Sequence, residues 1–369
     1  MDNNTAISAE REDGVVINPP LPSPAKPRRN ASFELLRIVC MFFIVGHHFI
    51  GHGGWESGVT DEVNAVFIGL FSAFFLPSVN LFVMISAYFL CTSTSERVNV
   101  RKVAKLWGQV FFYSVLLFTV FAATDTIPYT DDGLLNTLFP TLKEKYWFFS
   151  AYIVMLVLSP FLNAMLRNIS RRSHLVLCLL ILVAAELAAD AHIFNTTGIS
   201  SGYNAVWFCC LYVIAAYLRL RDVRLTRTKV VIGGIIYAAT IVAGQFVSFK
   251  YSSAPVCLSA VYVFLAFKHL NIKNERLSKI ICFVSPLTFG VYLIHDSPEM
   301  RSFMYENIFH CSQLYDLPAS FLIIISFAVI TFAVCAAFEF LRHALTTFAA
   351  DIFRRIVTRP KTKENCPAP

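Results

Sequence analysis

The chain has 369 residues, of which 56% are hydrophobic, 14% aromatic and only 15% charged. Soluble domains carry roughly 25% charged residues, so this composition excludes a soluble enzyme and points to a polytopic helical membrane protein. The formal net charge of +7 does not mark a nucleic-acid binder, because the basic residues are spread over many loops and no single domain gathers them.

Residues 1–31 are polar and Pro-rich and read as a disordered cytoplasmic tail. The first apolar run starts too deep, and is too polar inside, for a cleaved signal peptide. It is expected to stay as the first membrane helix. Within Ser32–Gly54 lie Glu34, Arg37, His47 and His48. One Arg at a helix centre costs roughly +2.5 to +3.5 kcal/mol on the insertion scale, and ionisable groups in such helices are functional-site candidates by default. Arg37 and His48 are eleven positions apart. At about 100° and 1.5 Å per residue they share a face, about 16 Å apart along the axis. Glu34 falls on that face three residues before Arg37 and can pair with it. Met41 and Ile44 continue the stripe, whereas His47 points about 100° away. His48 is therefore preferred over His47. The bland alternatives are an Arg37 that snorkels to headgroups and a His48 that merely bonds inside the bundle. His52 lies four residues after His48, but Gly51, Gly53 and Gly54 argue against a continuing helix. Spacing fixes no third ligand, so no metal is expected.

About 20 apolar residues span a bilayer. That rule predicts about ten spans, near 33–51, 64–90, 103–124, 146–166, 174–191, 203–219, 229–249, 254–270, 279–297 and 318–345. Pro77 predicts a kink in the second, and 134–142 is short enough to lie at the interface or re-enter. Almost all loop Lys and Arg fall on one side, including Arg97, Arg101, Lys102, Lys105 and the Arg219–Lys229 cluster, while Lys143, Lys145, Lys250 and Arg301 fall on the other. That bias places both termini in the cytoplasm. The expected fold is all-α, a membrane helix bundle over 32–350, followed by a basic cytoplasmic tail at 351–369. Most cysteines lie in apolar runs, where Cys acts as a small hydrophobe. No CxxC spacing appears.

This orientation puts Arg37 near the inner face and His48 near the outer one. Glu186 and Asp190 reach the outer depth on the fifth span, and Tyr292, His295 and Asp296 reach it on the ninth. Asp296, Glu186 and Asp190 are all candidates to orient the His48 ring, and the sequence does not choose among them. Ser86 and Glu339 lie nearer the inner face. Tyr146 and Trp147 read as an interfacial aromatic belt.

Four further features run in order along the chain: the Asn80–Leu90 run NLFVMISAYFL, the basic cluster Arg97, Arg101, Lys102 and Lys105, the aromatic segment Tyr146–Tyr152, and Thr288–His295 (TFGVYLIH). With the Arg37-to-His48 spacing, the chain resembles the acyltransferase 3 family of membrane acyltransferases, which includes bacterial O-acetyltransferases of surface polysaccharides. Ala87 stands where the family usually has Gly, and the basic cluster is not a clean Arg-x-x-Arg. The resemblance implies transfer of an acetyl or other short acyl group from cytoplasmic acyl-CoA, a co-substrate with no resident cofactor, to a hydroxyl of a lipid-linked or surface glycan. It implies His48 as general base or acyl carrier beside Arg37 and Glu34. It also implies donor binding by Arg101, Lys102, Lys105, Ser86 and Tyr88, and residence in a bacterial inner membrane among its lipids. Some family members carry a C-terminal hydrolase-like domain. With no such domain before Pro369, a stand-alone enzyme is expected. The principal rival is a transporter or flippase of glycan intermediates; a glycan polymerase or a scaffold fits less well.

Overall fold

The computed structural model describes residues 29–190 and 201–357. In chain order the helices are α1 (Ala31–Gly51), α2 (Trp55–Gly58), α3 (Glu62–Phe75), α4 (Ser78–Leu90), α5 (Val100–Ala123), α6 (Asp131–Leu138), α7 (Trp147–Asn168) and α8 (Arg171–Asp190). They continue as α9 (Ala205–Leu220), α10 (Arg227–Ala243), α11 (Ala254–His269), α12 (Glu275–Val284), α13 (Thr288–His295), α14 (Pro298–Ser302) and α15 (Ser320–Val357). Every regular element among the described residues is helical. All ten expected segments contain helix. Among the described residues, six stretches are long and apolar enough to cross a bilayer: Ala31–Gly58, Glu62–Leu90, Val100–Ala123, Trp147–Asn168, Glu275–His295 and Ser320–Ile352. Ala205–Leu220 and Ala254–His269 are apolar but shorter. The protein is thus an integral-membrane helical bundle. Helix α15 runs to Val357, past the expected boundary at 350, and the tails at 1–28 and 358–369 lie outside the described residues.

Local chemistry sets the helix limits. The side chains of Asp61, Asn99, Thr130, Asn204, Thr226 and Asn274 each accept a backbone N–H from the first turn of the helix that follows. Such caps satisfy donors that have no partner within the helix. Pro77 separates α3 from α4, as its missing N–H and fixed φ dictate. Pro286 does the same between α12 and α13, where Ser285–Leu287 form a single 3-10 turn.

Helix α1 occupies the centre, packed against α3, α4, α11, α12, α13 and α15. Without a hydrophobic driving force between helices in lipid, close packing and buried polar bonds hold such a bundle. At the N-terminal end of α1, Phe33 packs its ring against Tyr88 and Phe264, each 5.2 Å between centroids. At its C-terminal end, Phe49 meets Trp55, Tyr305, Phe309 and Phe327. Asn80 donates to the Tyr251 carbonyl at 2.8 Å and accepts from Trp207 Nε1 at 3.0 Å, tying α4 to α9. Its role is structural. These contacts hold both ends of α1 in place, so the stripe carrying Arg37 and His48 sits on a rigid element.

Glu339 on α15 is buried between α5 and α13. Its carboxylate accepts from Tyr113 Oη at 2.7 Å, Gln109 Nε2 at 3.1 Å and the Arg342 guanidinium at 2.6 and 2.8 Å. Gly290 on α13 packs directly on this glutamate, with no space for a Cβ. Overpacking costs about 1–3 kcal/mol. Gly290→Val is therefore expected to lower the thermal midpoint in detergent by several degrees, with Gly290→Ala intermediate.

Candidate active site

The stripe on α1 becomes part of the wall of two neighbouring spaces. At the inner end, Arg37 Nη1 lies 3.2 Å from Glu34 Oε2, and the same oxygen accepts from Ser285 Oγ at 2.5 Å. Glu34 is buried and Arg37 is about a quarter exposed. The carboxylate therefore orients the guanidinium and leaves its remaining N–H groups toward a cavity of about 350 Å³. Ser86, Lys102, Tyr152 and Thr288 also line that cavity. A neighbouring space of about 280 Å³ shares Leu90 and Lys102 with it and adds Arg97, Asn99 and Asn163. The end of the bundle where α1 begins is therefore a roomy vestibule with three cations on its walls.

At the outer end His48 meets the turn after α13. Its Nδ1 lies 3.0 Å from His295 Nε2 and 3.4 Å from Asp296 Oδ1. His295 Nδ1 lies 2.6 Å from the Val291 carbonyl, which can only accept. His295 therefore carries its proton on Nδ1, and the neutral ring offers Nε2 as an acceptor. His48 must then donate from Nδ1, which leaves the lone pair of its own Nε2 available. A histidine tautomer set by what its other nitrogen bonds is the usual arrangement for a general base.

The turn itself explains how two consecutive residues reach one ring. Helix α13 ends at His295, and Asp296 caps it by donating its N–H to the Tyr292 carbonyl at 3.1 Å. Ser297 then caps α14, and Arg301 on α14 folds back to Asp296 Oδ1 at 2.9 Å. Lys145 Nζ and Glu299 Oε1, 2.6 Å apart and both buried, clamp the start of α7 to the same turn. Burial lowers the Lys145 pKa, and the Glu299 carboxylate opposes that shift. Tyr146 Oη donates to the Leu293 carbonyl at 3.1 Å. Tyr146 is therefore buried in the bundle and is not the interfacial anchor expected of it. Trp147 likewise packs among Phe148, Tyr203, Phe208 and Tyr251.

A narrow pocket of about 20 Å³ opens on His48, between Met41, Ile44, Val79, Phe82, Phe148, Phe289 and Tyr292. It has room for about one water. The Tyr292 hydroxyl beside it is buried next to the Asp296 carboxylate.

A family model described as an acyltransferase domain matches residues 30–340. The chain belongs to the acyltransferase 3 family. No curated protein and no solved structure gave a match.

The structure sorts the remaining expected residues. Of the three carboxylates considered for orienting His48, Asp296 lies beside the ring. Glu186 instead accepts the Ala254 N–H at the start of α11, and the Asp190 side chain lies outside the described residues. His47 points away, its Nε2 3.5 Å from Ser72 Oγ. Of the expected donor-binding group, Lys102 and Ser86 line the inner cavity, whereas exposed Arg101 and Lys105 do not. Tyr88 is also off that wall, bonded to Arg219 Nη1 at 3.1 Å. His48, His52 and Asp296 bring ligand atoms within 4.8 Å of one another. The third position missing from the spacing argument is thus supplied by a distant turn. The Arg301 guanidinium on Asp296, however, opposes a cation there. Arg301 and Arg97 were missed as site residues. An Arg five positions beyond an Asp across a Ser-Pro helix start was the available signal for Arg301.

Proposed function

We infer that the protein is an O-acyltransferase that moves an acetyl or other short acyl group from cytoplasmic acyl-CoA to a hydroxyl of a lipid-linked or surface glycan. The observation that carries this reading is the shared lining of the two spaces. One face of α1 leads from the Arg37 and Lys102 vestibule to the lone pair of His48 Nε2. A CoA thioester has its anionic phosphates far from its reacting carbon, and this path has cations at one end and a base at the other. Arg37, Lys102 and Arg97 hold phosphate oxygens through charge-assisted bonds. The pantetheine arm lies in the vestibule beside Arg37 and brings the thioester to the edge of the pocket at His48.

The acceptor hydroxyl enters from the outer side, near exposed His52. As its oxygen attacks the thioester carbonyl carbon, His48 Nε2 takes its proton. The C–O bond forms, the C–S bond breaks, and the proton passes to the CoA thiolate to give free thiol and ester. Asp296 and His295 steady the imidazolium that forms transiently. The buried Tyr292 hydroxyl is the donor available to the developing oxyanion. We assign the molecule ten membrane crossings with both termini cytoplasmic, in a bacterial inner membrane, since that arrangement puts the cationic vestibule on the side where acyl-CoA is made.

Arg37 separates donor binding from chemistry. A charge-assisted hydrogen bond is worth about 1.5–3 kcal/mol, so Arg37→Ala is expected to raise the acetyl-CoA KM by roughly 10-fold or more with a smaller change in kcat. Arg37→Lys keeps the ion pair with Glu34 and should recover part of the loss. Steady-state release of CoA thiol by protein in nanodiscs, supplied with a crude lipid-linked glycan extract, measures both constants. An unchanged KM in Arg37→Ala contradicts the assigned donor path.

A further inference from the structure

We propose that the pocket at His48 selects an uncharged two-carbon acyl group, with Ile44 and Val79 as its length-limiting wall. The proposal rests on the acyltransferase reading and adds the identity of the acyl group and the residues that set it.

The two spaces along α1 differ sharply in size, about 350 Å³ at Arg37 and about 20 Å³ at His48. Phe82, Phe148 and Phe289 line both, so these rings are the boundary between them. Phe82 and Phe148 meet edge to face at 5.8 Å. A bulky pantetheine arm fits on the vestibule side of this collar. Only the acyl group needs to pass it, and the space beyond holds little more than a methyl group.

The far wall is Ile44 and Val79, both buried. Their stiff β-branched side chains have few rotamers with which to yield. Behind them, and also bordering His48, lies a gap bounded by His47, Phe75, Leu76 and Tyr251, too tight for a water. Truncating either residue therefore joins the pocket to that gap, giving a longer acyl chain somewhere to go. The wall is also apolar apart from the His48 ring, the Tyr292 hydroxyl and the Trp147 indole, and it carries no cation. A succinyl or malonyl carboxylate would be desolvated there with no cationic partner, which is strongly unfavourable.

The test compares kcat/KM for acetyl-, propionyl-, butyryl- and succinyl-CoA with protein in nanodiscs and the same glycan extract. One methylene in a hydrophobic pocket discriminates by roughly 10- to 200-fold. Wild type should prefer acetyl over butyryl by about 100-fold or more, and should not use succinyl. Ile44→Ala and Val79→Ala should each raise the butyryl-to-acetyl ratio by about 10-fold or more. Ile44→Phe should abolish acetyl transfer while CoA still binds in the vestibule. The two truncations are independent, so one that fails to fold leaves the other to decide. Equal use of acetyl and butyryl by wild type overturns the selector and leaves the acyltransferase reading intact. So does a ratio unchanged in a folded truncation variant. If wild type consumes no acyl-CoA of any length, the acyltransferase reading fails and the selector fails with it.

Discussion

His48→Ala is expected to lower kcat for acyl transfer by about 10³-fold while the protein still binds CoA and still folds. General-base catalysis by a positioned histidine contributes about 10²–10⁴-fold, and here His48 lines the narrow pocket with its Nδ1 engaged by His295, which leaves Nε2 as the base. Arg37 lies about three helical turns away on the same face, and Lys102 and Arg97 come from α5 and the segment before it, so binding of the CoA moiety should survive. The test is CoA thiol release together with a CoA binding isotherm on one preparation. Loss of binding and turnover together would mean that His48 shapes the bundle instead of doing the chemistry. His47→Ala is the internal control. Its ring contacts Ser72 and lies off the pocket that opens on His48, so it should keep most activity.

The second large effect is at His295. Its Nε2 is the acceptor that holds the His48 Nδ1 proton, and the Val291 carbonyl fixes which way round it sits. In His295→Ala the His48 ring keeps only the longer contact with Asp296 at 3.4 Å, and both its tautomer and its angle are released. Losing such an orienting partner in a Ser-His-Asp site costs about 10⁴-fold. With Asp296 still present, a loss of about 10²-fold is expected here. His295→Gln retains an acceptor at a similar reach and should restore a good part of the rate, whereas His295→Phe should not. The readout that separates positioning from packing is KM, which should stay near wild type in all three variants. A His295→Phe enzyme as active as His295→Gln contradicts the tautomer argument.

The sequence made the all-helical membrane character and the α1 stripe legible because both are local. Hydrophobic run length marks the helices, and 3.6-residue periodicity puts Glu34, Arg37, Met41, Ile44 and His48 on one face without reference to anything else in the chain. The candidate site was only half legible for the complementary reason. The choice of Asp296 over Glu186 depends on where α13 and α8 end in space, and helix depth alone makes the two look equivalent. His295 and Asp296 were both singled out, but on a continuing helix they would diverge by about 100°. Only the helix end at His295 lets both reach one ring. Helix packing also redirected residues whose type suggested a surface role. Tyr146 found the Leu293 carbonyl inside the bundle. Conversely, Arg301 read as an ordinary outer-loop cation, because its link to Asp296 runs through a cap at Ser297 that periodicity does not register. The division of the path into a wide and a narrow space had no sequence signature at all, since Phe82, Phe148 and Phe289 come from three separate helices among 35 phenylalanines.

The central claim is that acyl-CoA enters the Arg37 vestibule from one side and gives up its acyl group at His48 to an acceptor from the other. Sealed proteoliposomes of uniform orientation, loaded with the lipid-linked glycan extract, test it most directly. Acetyl-labelled acetyl-CoA is supplied on one side only, and thiol release and labelled glycan are followed for wild type and His48→Ala. The account predicts thiol release and labelled glycan in wild type only when acetyl-CoA is on the side that exposes the Arg97 and Lys102 loop, and neither product in His48→Ala. Acetyl-CoA left unconsumed from both sides, with glycan crossing the membrane unmodified, would contradict the account and favour a transporter.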